Sequence, residues 1–160
     1  MTAQTHTPAT ITTPTDRQIR IERTFDAPRD LVWKAYTEPK LLAKWWGRGN
    51  KLDVEFFELK PGGRWRFVEH APEGTTGFEG RFREVTPPTR IVQTFEWDGM
   101  PGHVLVDTAE FQDIGGNRTR VVSTSLFHSA EERDGMLKTG MEQGVNESYA
   151  ALDRLLAELT

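Results

Sequence analysis

The stretch from Ser129 to Thr160 constrains this chain more than any other, because it reads as one long amphipathic helix. Ser129 with Glu132 three residues on has the form of a capping box. The hydroxyl accepts the Glu132 backbone N–H, and the carboxylate reaches back to the Ser129 N–H. Glu131 and Glu132 place negative charge in the first turn, where the helix dipole favours it. Leu137, Met141, Val145, Tyr149, Leu152, Leu155, Leu156 and Leu159 recur at three- and four-residue steps and make one apolar stripe. At ~1.5 Å per residue such a helix would run roughly 45 Å, long enough to cross a small domain. Gly140, Gly144 and Ser148 form a second stripe on one face, at i, i+4 and i+8. A mid-helix glycine costs about 1 kcal/mol relative to alanine. Two on one face therefore mark either a groove filled by a bulky side chain from the sheet or space left for a ligand between helix and sheet.

Composition narrows the setting. A chain of 160 residues can bury a real core as one domain. The formal net charge of −4 offers no basic excess for nucleic acid or an anionic membrane surface. The absence of cysteine excludes disulfides, thiolate nucleophiles and cysteine-ligated metals. No apolar run reaches the ~18–20 residues of a bilayer-spanning helix, and no basic region followed by an apolar core marks a secretory signal. The expected location is the cytoplasm. Residues 1–16, rich in Thr with Pro8 and Pro14, read as a disordered tail that includes His6; residues 17–160 read as one domain.

From Gln18 to Phe25, Ile19, Ile21 and Phe25 alternate with polar residues, the pattern of a half-buried strand. Pro28 opens a short helix with Leu31, Val32, Ala35 and Tyr36 on its apolar face and Trp33 at its edge. Pro39 starts a second, carrying Leu41, Leu42, Trp45 and Trp46 and ending at Gly47, Gly49 and Asn50. Trp45 and Trp46 are ~100° apart around a helix, so they cannot both enter one core; one of them faces a cavity or an opening. Strands follow at Leu52–Leu59, with a bulge near Phe56 where the parity slips, then at Arg64–His70, Phe78–Val85, Arg90–Trp97, Val104–Phe111 and Arg118–Phe127. Residues 60–63 form a turn, 71–76 a loop, and Gly115-Gly116 a hairpin turn. Connections this short require antiparallel pairing. The fold class is α+β: a curved antiparallel sheet of six to seven strands wrapped around a long C-terminal helix, with two short helices after the first strand.

The ordered set Arg23–Pro28, Val32-Trp33, Pro39 through Trp45-Trp46-Gly47, Leu59–Gly63, Gly80 with Phe82, Val85 and Pro88, Thr119 with Val121, and His128–Asp134 leading to Gly140 resembles the START-related (SRPBCC) helix-grip superfamily. Within it, the resemblance is to the group named after the C-terminal domain of the activator of the 90-kDa heat-shock chaperone's ATPase. It covers about Gln18 to Leu159. It implies a sheet that grips the long helix and encloses an apolar cavity. It does not imply one activity, since the superfamily includes lipid carriers, plant allergens and polyketide cyclases. The chaperone activator has a further N-terminal domain for which these 160 residues have no room.

Catalytic motifs are few. The sequence has no phosphate-binding loop, His-Glu-x-x-His pair or nucleophile elbow. His70, His103 and His128 fall at strand ends without metal-ligand spacing, so no metal or cofactor is expected. Arg64, Arg66, Arg81 and Arg83 read as solvated charges paired with nearby carboxylates. Glu69, Gln93, Glu96 and Asp107 are polar residues inside strands. Glu69 shares parity with Trp65 and Phe67 and is the one candidate for proton transfer, while Gln93 shares parity with Ile91, Phe95 and Trp97. The expected ligand-binding set is Trp45, Trp46, Trp65, Phe67, Phe82, Gln93, Phe95, Gly140, Met141, Gly144 and Ser148. The expected partner is a hydrophobic or amphipathic small molecule, with neither nucleic acid nor membrane. A cyclase- or dehydratase-like enzyme and a chaperone-associated protein are the alternatives. A homodimer would use an exposed strand edge or Trp33.

Overall fold

The computed structural model describes residues 8–160, and its frame is an antiparallel sheet of eight strands. In chain order the elements are β1 (Thr10–Thr12), β2 (Gln18–Phe25), α1 (Arg29–Thr37), α2 (Pro39–Leu42), β3 (Lys51–Phe57), β4 (Arg64–Ala71), β5 (Gly74–Thr86), β6 (Arg90–Trp97), β7 (Leu105–Gly115), β8 (Arg118–Leu126), α3 (Ala130–Leu137) and α4 (Met141–Leu159). The spatial order is β1-β2-β8-β7-β6-β5-β4-β3. Every neighbour is antiparallel, as short connections require. The α+β class, the curved sheet and the two early helices agree with the sequence pattern. The bulge lies where the parity slips, between Val54 and Phe56. The β7–β8 hairpin turns through Gly116 and Asn117, both at positive φ, the conformation that suits the twist of a two-residue hairpin.

Four expectations are corrected. The sheet has eight strands rather than six or seven, because Thr10–Thr12 pairs with β2, setting Ile11 opposite Ile21. That strand belongs to the stretch read as a tail. Edge pairing orders it, together with the Ala9 N–H donated to Asn146 Oδ1 at 3.0 Å. Residues 1–7, His6 among them, lie outside the described residues. The expected loop at 71–76 is instead a tight hairpin in which Ala71 pairs with Gly74. Lastly, the C-terminal helix is two helices. Ser129 does cap α3 by accepting the Glu132 N–H at 3.2 Å, but the Glu132 carboxylate turns to His103 and not back to Ser129. Residues 138–140 then break the helix, with Gly140 in the left-handed conformation at φ 77. Glycine adopts that conformation without steric penalty, so its composition favours the break.

Helix α4 crosses the concave face, but only its C-terminal half is buried: Tyr149, Ala151, Leu152, Leu155 and Leu156. These join β2 residues Ile19 and Phe25 and α1 residues Val32 and Ala35 in one core. On β2, Arg23 occupies the buried parity of Ile19, Ile21 and Phe25. Its two Nη groups donate to the two carboxylate oxygens of Asp153 on α4, each at 2.6 Å. The guanidinium also stacks 4.7 Å from the Phe25 ring centroid. Removing one partner of a buried ion pair leaves the other charge uncompensated, at about 3–5 kcal/mol. Asp153→Asn should therefore lower unfolding stability by several kcal/mol in a denaturant titration. The double replacement Arg23→Met with Asp153→Leu should recover most of that loss.

Candidate functional site

Strand register determines which side chains meet on the concave face. Phe82 of β5 pairs with Gln93 of β6, Gln93 with Asp107 of β7, and Asp107 with Ser125 of β8. The next row runs Ile91, Ala109, Ser123 and Ile21. With period two along each strand, both rows point the same way. Above them the N-terminal half of α4 is not pressed onto the sheet, and a cavity of about 550 Å³ remains. The two rows line it from below. Met141, Gly144, Val145, Ser148 and Tyr149 line it from α4.

One wall is aromatic. Trp46 meets Phe67 and Phe78 edge-on, each at 5.1 Å between ring centroids. Phe78 and Phe95 lie 5.4 Å apart, Trp65 and Phe67 4.8 Å. Phe57 joins them against Phe82 at 5.4 Å. Trp65, Phe67 and Phe82 are buried members of the lining, and the Trp65 indole N–H donates to the Thr94 carbonyl at 3.1 Å. Trp45 and Trp46 lie in the turns beyond α2, which ends at Leu42 short of the expected helix, and still divide: Trp45 is buried with its N–H on the Ala35 carbonyl at 2.9 Å, while Trp46 keeps partial exposure. Both contribute to the lining, as do Gln93 and Phe95. Gly140 does not. It is exposed at the helix break, where the continuous helix assumed from the sequence would have turned it inward.

The opposite wall is polar. Asp107 accepts a 2.5 Å hydrogen bond from the Ser125 hydroxyl. It retains some accessible surface and lines the cavity, yet enough protein surrounds it that desolvation pushes its carboxyl up to about 6, with the Ser125 bond opposing the rise. The Tyr149 hydroxyl is paired with Tyr36 and with Ser123, and burial raises both phenols above their ordinary range. Asp107, Ser123 and Ser125 line the cavity but lie outside the binding set expected from the sequence. The signal was there: Asp107 shares parity with Leu105, Ala109 and Phe111, and the two serines share parity with Val121.

The lining also includes a loop no local pattern foretells. Gly47, Arg48 and Gly49 all have positive φ, at 81, 62 and 79. For arginine that conformation is strained by about 1–3 kcal/mol and must be held by its surroundings. The Arg48 N–H donates to the Ser148 Oγ at 2.9 Å. Its side chain donates to Glu69 Oε2 through Nε at 3.1 Å and Nη2 at 2.8 Å, and to Glu73 at 2.7 Å. Asn50 adds a third donor to the same Glu69 oxygen at 2.8 Å. Glu73 and Glu69 raise the Arg48 pKa, and Arg48 holds the Glu73 carboxyl below its usual range. A Cβ at Gly144 would stand 3.4 Å from Arg48 Cδ. The small-residue stripe is thus a seat for an arginine, which arrives from a loop and not from the sheet. Glu69 faces inward as expected, but as the acceptor of this latch. The other arginine reading agrees with the structure at Arg66, which is paired with Glu55, Glu79 and Asp98.

A sheet gripping a helix over an amphipathic cavity defines a helix-grip protein. The sequence matches the family described as Activator of Hsp90 ATPase homolog 1-like protein over residues 26–157, and the chain belongs to that family. Among solved structures it is similar to a Rhodobacter sphaeroides protein at 28% identity and TM-score 0.86, over 95% of this chain and 99% of that one. An Arthrobacter aurescens protein is 25% identical with TM-score 0.83, covering 93% and 91%. An HSP90 activator from Plasmodium falciparum shares the fold at 20% identity and TM-score 0.56, over 74% of this chain and 85% of that one. No curated protein gives a significant match to the sequence. No helix among the described residues is long and apolar enough to cross a membrane, and no group of three or more His, Asp or Glu is placed to hold a metal ion.

Burial raises the Asp107 pKa, so the folded state binds this proton more tightly than the unfolded chain does. The carboxylate therefore subtracts stability as pH rises from the unfolded value of about 4 toward about 6, and the loss is complete above that. Asp107→Asn should raise the Tm near neutral pH and leave it almost unchanged near pH 4, as thermal unfolding at the two pH values will read.

Proposed function

We propose that the protein binds an amphipathic small molecule between the sheet and α4. One observation carries this reading: a cavity of about 550 Å³ that is aromatic on one side and hydrogen-bonding on the other. Small-molecule sites occupy roughly 300–1,000 Å³ with apolar walls and a few polar anchors. Close-packed interiors rarely hold voids much larger than a water molecule, because lining atoms without neighbours lose dispersion contacts. Residence in the cytoplasm belongs to the same proposal.

The test fills the space from a strand. Ala109 lies mid-strand on β7 in the lower row, facing the cavity. Ala109→Phe should weaken binding of the neutral fluorescent probe N-phenyl-1-naphthylamine at least about tenfold, while circular dichroism stays native. Unchanged affinity in a folded variant would sink the reading.

A second reading, proton-transfer catalysis of the cyclase or dehydratase kind, is favoured by one feature, a cavity carboxyl with its pKa near neutrality. Asp107 then takes the place first given to Glu69, whose Oε2 is occupied by Arg48 and Asn50. Loss of turnover in Asp107→Asn with binding retained would favour it. Chaperone association rests on the family's description and the Plasmodium neighbour. An ATPase assay with the cognate chaperone decides it.

A further inference from the structure

Among the described residues, the cavity lining holds one charge without a counter-ion. Its charged side chains, again among the described residues, are Arg48, Glu69 and Asp107. Arg48 and Glu69 neutralise one another. Asp107 stands on β7, and its hydrogen-bond partner is the Ser125 hydroxyl. The groups that share its end of the cavity are neutral near pH 7: Gln93 from β6, Ser123 and Ser125 from β8, Tyr149 from α4 and Tyr36 from α1. Arg23 on β2 acts electrostatically on the two tyrosines, and both its Nη groups are tied to Asp153.

A desolvated carboxylate without a cation weakens the fold, and a cleft is where such a group points to function. The opposite wall presents Trp46, Phe67, Phe78 and Phe95. The faces of aromatic rings are negative and attract cations, and they cover apolar chains equally well. An anionic ligand would meet no unpaired cation among the described lining residues. A cationic one finds a carboxylate and aromatic rings.

We propose that the ligand is an amphipathic amine whose ammonium group pairs with Asp107 and whose apolar body lies against the aromatic wall. This rests on the cavity being a ligand site, as argued above. Ammonium groups titrate near pH 10, so the ligand keeps its charge through the neutral range. Asp107 does not: burial pushes its carboxyl up to about 6. Affinity for an amine therefore rises as pH climbs through that value and falls below it. A carboxylic acid held by protonated Asp107 would show the opposite sign.

The experiment compares phenylbutylamine, phenylbutanol and phenylbutyrate, which share one skeleton, by calorimetric titration at about pH 7.5 and about pH 5. Wild type and Asp107→Asn are both used, with thermal unfolding recorded for each. The amine should bind at least about tenfold tighter than the alcohol to wild type at the higher pH, the scale of a charge-assisted hydrogen bond. That lead should shrink at the lower pH and vanish in Asp107→Asn. Equal affinities for amine and alcohol, or a preference for phenylbutyrate, would overturn the amine assignment while leaving the cavity reading standing. If none of the three binds wild type, both fall together. Should Asp107→Asn fail to fold, the pH dependence of the wild-type preference decides alone.

Discussion

Arg23 and Asp153 fix where the helix sits on the sheet. An arginine at a buried strand position needs a partner, and the bidentate pair at 2.6 Å supplies it from α4. A fork-to-carboxylate contact restrains orientation as well as distance. Because the pair lies in the C-terminal half of α4, that half is pinned over β2 beside Leu152, Leu155 and Leu156. The N-terminal half begins at the Gly140 break and carries only partly buried Met141 and Val145 toward the sheet. One end of the helix is anchored and the other stands clear, and the cavity is the space between.

That space does not close because its two walls cannot satisfy one another. Moving the aromatic residues of β4, β5 and β6 onto the β7–β8 side would bury Asp107, Gln93 and the serines against rings that offer few hydrogen bonds. Burying polar groups without partners costs more than the dispersion contacts would return. The aromatic side is also braced within itself, since each ring meets at least one neighbour at contact distance. The polar residues thus keep the cavity open as well as lending it chemistry.

Features set by neighbours in sequence were legible: the strands, their parity, the bulge after Val54, the Ser129 cap, and the β7–β8 hairpin, whose turn lies at Gly116-Asn117, one residue beyond the expected Gly115-Gly116. So was the family, on motifs spread along the chain. Parity alone placed Trp65, Phe67, Phe82, Gln93 and Phe95 on one face, and the same rule applied to Leu105–Phe111 would have added Asp107. What escaped depends on partners distant in sequence. Thr10–Thr12 has no apolar pattern of its own and is ordered by an edge it borrows from β2. Gly144 and Ser148 leave either a groove for a bulky side chain from the sheet or space for a ligand; they line the cavity, and the side chain they seat is Arg48 from a loop, about 100 residues away along the chain. No local signal announces an arginine in the left-handed conformation. Gly140 could have been read as a helix stop, but the leucine periodicity on either side argued for continuity.

The two ends of the cavity have different electrostatic states. At one end, the charges of Arg48, Glu69 and Glu73 are matched, so they hold a strained loop in place and present little net field. At the other, Asp107 has a hydroxyl for company and no cation among the described residues, so its field is directed into the space a ligand would enter. Strand parity gives Glu69 and Asp107 the same inward orientation; the presence of a countercharge makes Glu69 the fastening of a strained loop, and its absence among the described lining residues leaves Asp107 a desolvated acid facing the cavity.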